Sequence, residues 1–159
     1  LAQVFPDVSI LFIGPEPKAG SDDENRLREV KKYVNFHHVG PRPQDRIMGY
    51  IKAFDICLIP EPLSQLSVAG CPQKLWNYLA SSRPIVSTAI PEQSMWQPAV
   101  RIGKDHDEFI EHIRVLLASG CRDGLAAQRL DIAHRHTWPV LASRLWDMVT
   151  TRGLVSAGG

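Results

Sequence analysis

Residues 71–88 read CPQKLWNYLASSRPIVST. Leu75, Tyr78 and Leu79 recur at the spacing of one helix face, and Pro72 suits the first helical position, where its missing N–H is not needed. After Pro84, the run Ile85, Val86, Ser87, Thr88 is short and rich in β-branched residues, which reads as a buried strand. The stretch is therefore a helix feeding directly into a strand, half of a βαβ unit. Lys74 is the exception to a plain packing helix. It lies in the first turn, where the positive end of the helix dipole disfavours a cation, and Ala69, Gly70 and Cys71 bring no side-chain oxygen to cap that turn. Free N–H groups and the dipole together make an anion site, and a phosphate bound there would turn Lys74 from unfavourable to favourable. Asn77 and Ser81 follow at i+3 and i+7 on the face of Lys74, while Leu75, Tyr78 and Leu79 turn toward the core. The plain alternative is a solvated lysine on a surface helix.

The same alternation runs outward in both directions. Leu1, Val4 and Phe5 share one helix face, so the chain is expected to open on the last turn of a helix, as a fragment cut within a longer α/β pattern. Residues 8–14 (VSILFIG) read as a buried strand, 22–33 as a polar helix and 34–40 (VNFHHVG) as a second strand. Residues 45–54 carry Ile47, Tyr50, Ile51 and Phe54 on one helix face. Residues 56–59 are a short apolar strand, 84–88 a fourth and 100–102 a fifth. Asp105 reads as the cap of a helix bearing Phe109, Ile110, Ile113, Leu116 and Leu117. Residues 122–136 and 139–150 are two closing helices. Short apolar strands alternating with helices predict an α/β fold, a doubly wound, Rossmann-like parallel sheet with helices on both faces. Residues 1–150 are expected to form that domain and 151–159 a disordered tail. Ligands of such sheets bind outside the carboxyl ends of the strands, which selects the loops at residues 14–20, 40–43 and 60–71. The last is about twice the usual length for such a connection, a mark of functional loops.

Composition narrows the classes. The 159 residues are 44% hydrophobic and 22% charged, with a net charge of +1, which argues against a general electrostatic grip on nucleic acid. The three cysteines, Cys57, Cys71 and Cys121, form no CxxC pair and fit a reducing, cytoplasmic compartment better than a disulfide scaffold. No apolar run approaches the ~18 residues of a membrane span. The loop GPEPKAG lacks the GK[ST] ending of a phosphate-binding P-loop. His37 and His38, as strand neighbours, point to opposite faces, and His134 and His136 do not face each other on a helix. Neither pair makes a metal site.

The segment CPQKLWNYLASSRPIVST resembles the P-x-K-(L/M)-x-E-Y-L-A-x-G-(K/R)-P-V-V-(S/A)-T stretch of GT-B glycosyltransferases, in their carboxy-terminal, nucleotide-sugar-binding domain. VNFHHVGPRPQDRIMGYIKAFDICLIP (34–60), PDVSILFIG (6–14) and AHRHTW (133–138) resemble the segments that surround it in that family. The resemblance, to the group 1 or family 4-like enzymes, covers most of the chain. It implies the donor half of a hexosyltransferase-type enzyme that moves a sugar from a UDP- or GDP-type nucleotide sugar to a glycan, lipid or polysaccharide-precursor acceptor, without metal or other cofactor. Gln73 and Lys74 would meet the donor diphosphate. Asn77, where the family carries glutamate, would meet the ribose. Gly40, Pro41 and Arg42 would lie beside the base. A further family glutamate corresponds to Ala69, and the family glycine before K/R-P corresponds to Ser82. The catalytic base and acceptor site would belong to an amino-terminal domain not contained in this sequence, leaving the isolated chain inert. The full-length enzyme would be cytoplasmic, with peripheral association at the inner face of the membrane. Asn77, Ala69 and Ser82 support the rival reading, a non-catalytic binding or scaffold domain that keeps the half-fold. A GT-B epimerase is a more distant option.

Overall fold

The computed structural model describes residues 1–65, 67 and 73–151. The chain divides into two compact units, Leu1–Gly49 and Tyr50–Gly159. Five strands and seven helices are found among the described residues. The strands are β1 (Ile10–Phe12), β2 (Phe36–His38), β3 (Cys57–Ile59), β4 (Ile85–Thr88) and β5 (Val100–Gly103). The helices are α1 (Asp22–Val30), α2 (Gln44–Ala53), α3 (Gln73–Ser81), α4 (Pro91–Ser94), α5 (His106–Ala118), α6 (Ala126–Arg135) and α7 (Trp138–Thr151). All strand pairing is parallel: β1 with β2 in one sheet, and β3-β4-β5 in another. The fold is thus α/β with parallel sheets, as the alternating pattern predicts.

In the first unit, Asn35 is the anchor. Its buried side-chain amide donates to the carbonyls of Ala2, Phe5 and Val8 at 3.1, 2.9 and 3.0 Å. An amide carries two N–H hydrogens, so one is shared. The single helical turn at the start of the chain, closed by the Val4 and Phe5 amides on the Leu1 carbonyl, is thereby tied to β2. β1 differs from the expected buried strand: Leu11 and Phe12 are about two-fifths exposed. The reason is local, since among the described residues β1 pairs with β2 alone and polar α1 buries no residue. His37 and His38 do split between faces: His37 is exposed, and His38 is turned inward onto the Gly14 carbonyl at 2.8 Å.

The second unit holds the core, formed by Cys57 and Ile59 of β3, Leu75 and Leu79 of α3, Ile85 and Val86 of β4, Val100 of β5, and Phe109, Ile110, Ile113 and Leu116 of α5. Burial pushes the Cys57 thiol up to about 12, consistent with a core role. At the end of β5 the backbone runs close to α5. A Cβ on Gly103 would lie 2.6 Å from the Phe109 Cα, so only glycine fits. Two helices start in the same way. Ser21 and Asp105 cap α1 and α5 by accepting the Glu24 and Glu108 amides, and each glutamate reaches back to the amide before the cap, Gly20 or Lys104. This is a variant of the capping box.

α6 starts later than the expected residue 122. Cys121 and Gly124 adopt left-handed φ of 58° and 73°, which no helix continues, and the Asp123 carboxylate is drawn to Arg129. The Arg129 side chain is fully buried. Its Nε donates to the Ala99 carbonyl at 2.8 Å, one terminal nitrogen to the Ser82 carbonyl and to Asp123, and the other to Asp123. α7 buries no residue and leaves Trp138, Leu145, Trp146 and Met148 more than half exposed. No described helix is long and apolar enough to cross a membrane.

Burial alone raises the Asp123 carboxyl, but the hydrogen bond from Arg129, the Leu125 amide and the charges of Arg129 and Arg101 outweigh it and hold the group below its ordinary value. A carboxyl depressed in the folded state stabilises fully above its unfolded value of ~4 and loses that contribution as pH falls through the folded value. Asp123→Asn leaves Arg129 buried without a counter-charge, which costs about 3–5 kcal/mol. It is expected to lower the urea midpoint at pH 7 and to flatten the acid limb of stability below about pH 4. A parent-like midpoint at pH 7 would contradict the assigned role of the pair.

Candidate functional site

The loop that leaves the carboxyl end of β3 and the helix it enters are the best-defined candidate in the second unit. Residues 66 and 68–72 lie outside the described region, so the uncapped turn at Ala69, Gly70 and Cys71, and Pro72 as first helical residue, stand only as sequence expectations. From Gln73 onward α3 follows the predicted faces. Leu75 and Leu79 are completely buried, Gln73 and Lys74 are exposed, and Asn77 and Tyr78 are half-buried. Ser81 departs from expectation. It is buried, donates to the Tyr78 carbonyl at 2.7 Å and accepts the Arg83 amide at 3.2 Å. The reason is that α3 ends at Ser81, so this hydroxyl closes the helix instead of joining the Lys74 face.

Lys74 has a partner that sequence reasoning missed. Its ammonium forms an ion pair with Glu61, two residues beyond β3. Glu61 is placed by its backbone: the Thr88 hydroxyl, at the end of β4, donates to the Glu61 carbonyl at 2.7 Å. Ser64 and Ser67 then exchange amide-to-hydroxyl bonds at 2.8 and 3.1 Å, and the Ser67 hydroxyl donates to the Pro62 carbonyl. Glu61 thus explains a cation at a helix start in the absence of ligand, by supplying the negative charge the dipole favours there. With Lys74 45% exposed and Glu61 26% exposed, the pair is solvent-screened and worth only ~0–1 kcal/mol. The available signal was an acid two residues after an apolar strand, with a threonine ending the next strand.

Behind this face, Trp76 of α3 stacks on His136 at a centroid distance of 4.8 Å, and both meet Trp96, at 5.5 and 4.9 Å. His136 therefore serves packing between α3 and the end of α6. No group of three or more His, Cys, Asp or Glu able to hold a metal occurs among the described residues.

Gly40, Pro41 and Arg42 belong to the first unit and follow the carboxyl end of β2. Gly40 has φ 78°, the left-handed region that favours glycine, and its carbonyl accepts the Gly14 amide at 3.2 Å. Pro41 and Arg42 are exposed, and the Arg42 guanidinium donates to the Pro41 carbonyl at 3.1 Å. In the loop after β1, Glu16 pairs with Lys31 at 2.7 Å.

Ser82 takes φ 61° directly after α3, and its amide bonds to the Leu79 carbonyl. This is the left-handed helix-ending position where glycine is usual. The glycine of the related pattern therefore answers a backbone requirement, and serine here bears on stability.

No family model matches the chain. Over 140 residues it is 28% identical to the "Putative teichuronic acid biosynthesis glycosyltransferase TuaH" of Bacillus subtilis (strain 168), an alignment covering 86% of this chain and 34% of that protein. The chain thus spans about a third of the length of the relative it matches. This similarity supports a glycosyltransferase-like role.

Ser82→Gly is expected to raise stability by up to about 1 kcal/mol by relieving the left-handed serine, less the added chain entropy of glycine. Chemical denaturation measures it. A loss of stability would mean that the Ser82 hydroxyl bond to the Ser81 carbonyl outweighs the backbone strain.

Proposed function

We propose that this chain is the nucleotide-sugar-binding half of a GT-B glycosyltransferase, a doubly wound domain that holds a nucleotide diphosphate sugar while the sugar passes to a glycan or polysaccharide-precursor acceptor. The observation that carries the reading is the approach from the carboxyl ends of β3 and β4 to the start of α3, where Lys74 stands in the first turn beside exposed Gln73. The similarity to a glycosyltransferase over most of the chain supports it. In this reading the donor diphosphate displaces Glu61 from Lys74 and accepts from the N–H groups of the first turn of α3. As the bond from the sugar to the diphosphate breaks, negative charge grows on the leaving oxygen. A fixed helix dipole and one ammonium stabilise it with no reorganisation, the electrostatic mode of catalysis. No metal is required for this step. Asn77, one turn on from Lys74, would hold the ribose hydroxyls; the base-adjacent role of Gly40, Pro41 and Arg42 rests on the sequence resemblance alone. The remainder of a longer protein would supply the acceptor site and base, so the chain by itself binds donor without turnover.

Titration calorimetry with UDP and GDP tests the site. Lys74→Ala is expected to weaken binding by about ten- to a hundredfold, the loss of one charge-assisted contact. Equal binding by parent and variant would make Lys74 an ordinary surface lysine.

A second variant separates ribose from phosphate. Asparagine offers one carbonyl acceptor where a carboxylate offers two charged oxygens. Asn77→Glu is expected to tighten UDP or GDP binding by about two- to thirtyfold, for a gain of roughly 0.5–2 kcal/mol, and to leave pyrophosphate binding without such a gain. If neither ligand gains, Asn77 is not the ribose contact and the scaffold reading moves ahead.

A further inference from the structure

A second cleft lies at the opposite end of β4, in the same unit as α3 but away from the carboxyl ends of the strands. Its volume is about 590 Å³. The last turn of α2 supplies Lys52, the end of α3 supplies Ser81 and Ser82, the approach to β4 supplies Arg83 and Pro84, and the segment from Cys121 to the start of α6 closes it. The charge in this wall is one-sided. Arg129 and Asp123 neutralise each other by their ion pair. That leaves Lys52, Arg83 and Arg122 among the lining residues, with Asp55 outside the lining but acting on Cys121.

The geometry of the three cations differs. Arg83 is fixed, donating through Nε and a terminal nitrogen to the Lys52 carbonyl at 3.1 and 2.6 Å. This bidentate grip holds a permanent positive charge at the cleft and ties it to the end of α2. Lys52 and Arg122 are exposed, and among the described residues neither forms an ion pair. Two exposed cations and a fixed third share the lining of one concave wall, which makes the local potential positive and attractive to an anion.

We propose that this cleft is a binding site for a phosphate-bearing anion, held by Lys52, Arg83 and Arg122 and separate from the site at the start of α3. The volume suits a small phosphorylated molecule or one phosphate-bearing headgroup. Cys121 provides a built-in reporter. It lines the cleft with a free, partly exposed thiol. Burial and Asp55 push that thiol up and Arg83 pulls it down, so an anion in the cleft both covers the sulfur and opposes the pull of Arg83. Both effects slow its alkylation.

The test follows iodoacetamide alkylation of Cys121 by peptide mass spectrometry, with inorganic phosphate as the soluble probe and phosphatidylglycerol vesicles, against phosphatidylcholine vesicles, as the membrane probe. Millimolar phosphate is expected to slow alkylation several-fold. Lys52→Ala and Arg122→Ala are each expected to raise the concentration for half-protection by about tenfold, the loss of one charged contact, while Lys74→Ala leaves protection intact. Protection by phosphatidylglycerol alone, lost in Arg122→Ala, assigns the ligand to a membrane headgroup and upholds the cleft. Absence of protection by either probe overturns the proposal. So does equal protection by sodium chloride at matched ionic strength, which would be charge screening, and so does loss of protection in Lys74→Ala, which would place the effect at α3. Unaltered binding of phosphate in Lys52→Ala and Arg122→Ala also overturns it.

Discussion

The buried guanidinium of Arg129 is the constraint around which the second unit is arranged. One side chain satisfies the carbonyl of Ala99 ahead of β5 and the carbonyl of Ser82 behind α3, and neutralises Asp123 ahead of α6. These are segments whose backbone polar groups no helix or strand ladder completes. A buried charge is tolerated only where its hydrogen-bonding capacity is used, so the positions of all three segments follow from it. The left-handed residues Ser82, Cys121 and Gly124 are the turns by which the chain brings its carbonyls and carboxylate to that point. α3 and α6 pack together over this polar core, and the orientation of α3 determines where its first turn, with Lys74, faces.

At that first turn the energetics are deliberately weak. Strong groups fix the backbone, through the Thr88 hydroxyl on the Glu61 carbonyl and the reciprocal Ser64–Ser67 bonds. Among the described residues, a screened ion pair holds the lysine. Under the reading proposed above, a cation already held near its place by an exchangeable carboxylate would lose little further freedom on meeting a phosphate.

Much of this was legible in the sequence, for identifiable reasons. Helices with strong periodicity, such as 73–81 and 106–118, were legible in their place and buried face, because a buried stripe of Leu75 and Leu79, or of Phe109, Ile110, Ile113 and Leu116, has one period. The cap at Asp105 was legible from its place before that stripe. The late start of α6 was not, because it depends on a tertiary ion pair between Asp123 and a buried arginine, a residue type ordinarily on the surface. β1 was read as buried from its apolar run, yet pairing with β2 alone leaves its residues open. At the site, Lys74 was conspicuous because it violates the dipole rule. Glu61 and Thr88 were not, since their meeting is set by the register of β3 with β4, and side-chain burial at Ser81 depends on where α3 ends. The short helix at Pro91–Ser94 has a single turn and so no period to detect.

The close approach at Gly103 bears on how relatives of this chain should be compared. The obstacle to any side chain there is the Phe109 backbone, its N and Cα at 2.7 and 2.6 Å, so trimming the phenylalanine would open no room. Divergent chains with this packing should keep a glycine at that point whatever sugar, acceptor or partner they handle. It sits at the carboxyl end of a parallel strand, the place where ligand-contacting glycines of α/β folds are sought. An invariant residue here would record the contact distance of a strand and a helix. Its persistence across substrate classes would be a fingerprint of architecture, to be set aside when specificity is read from an alignment.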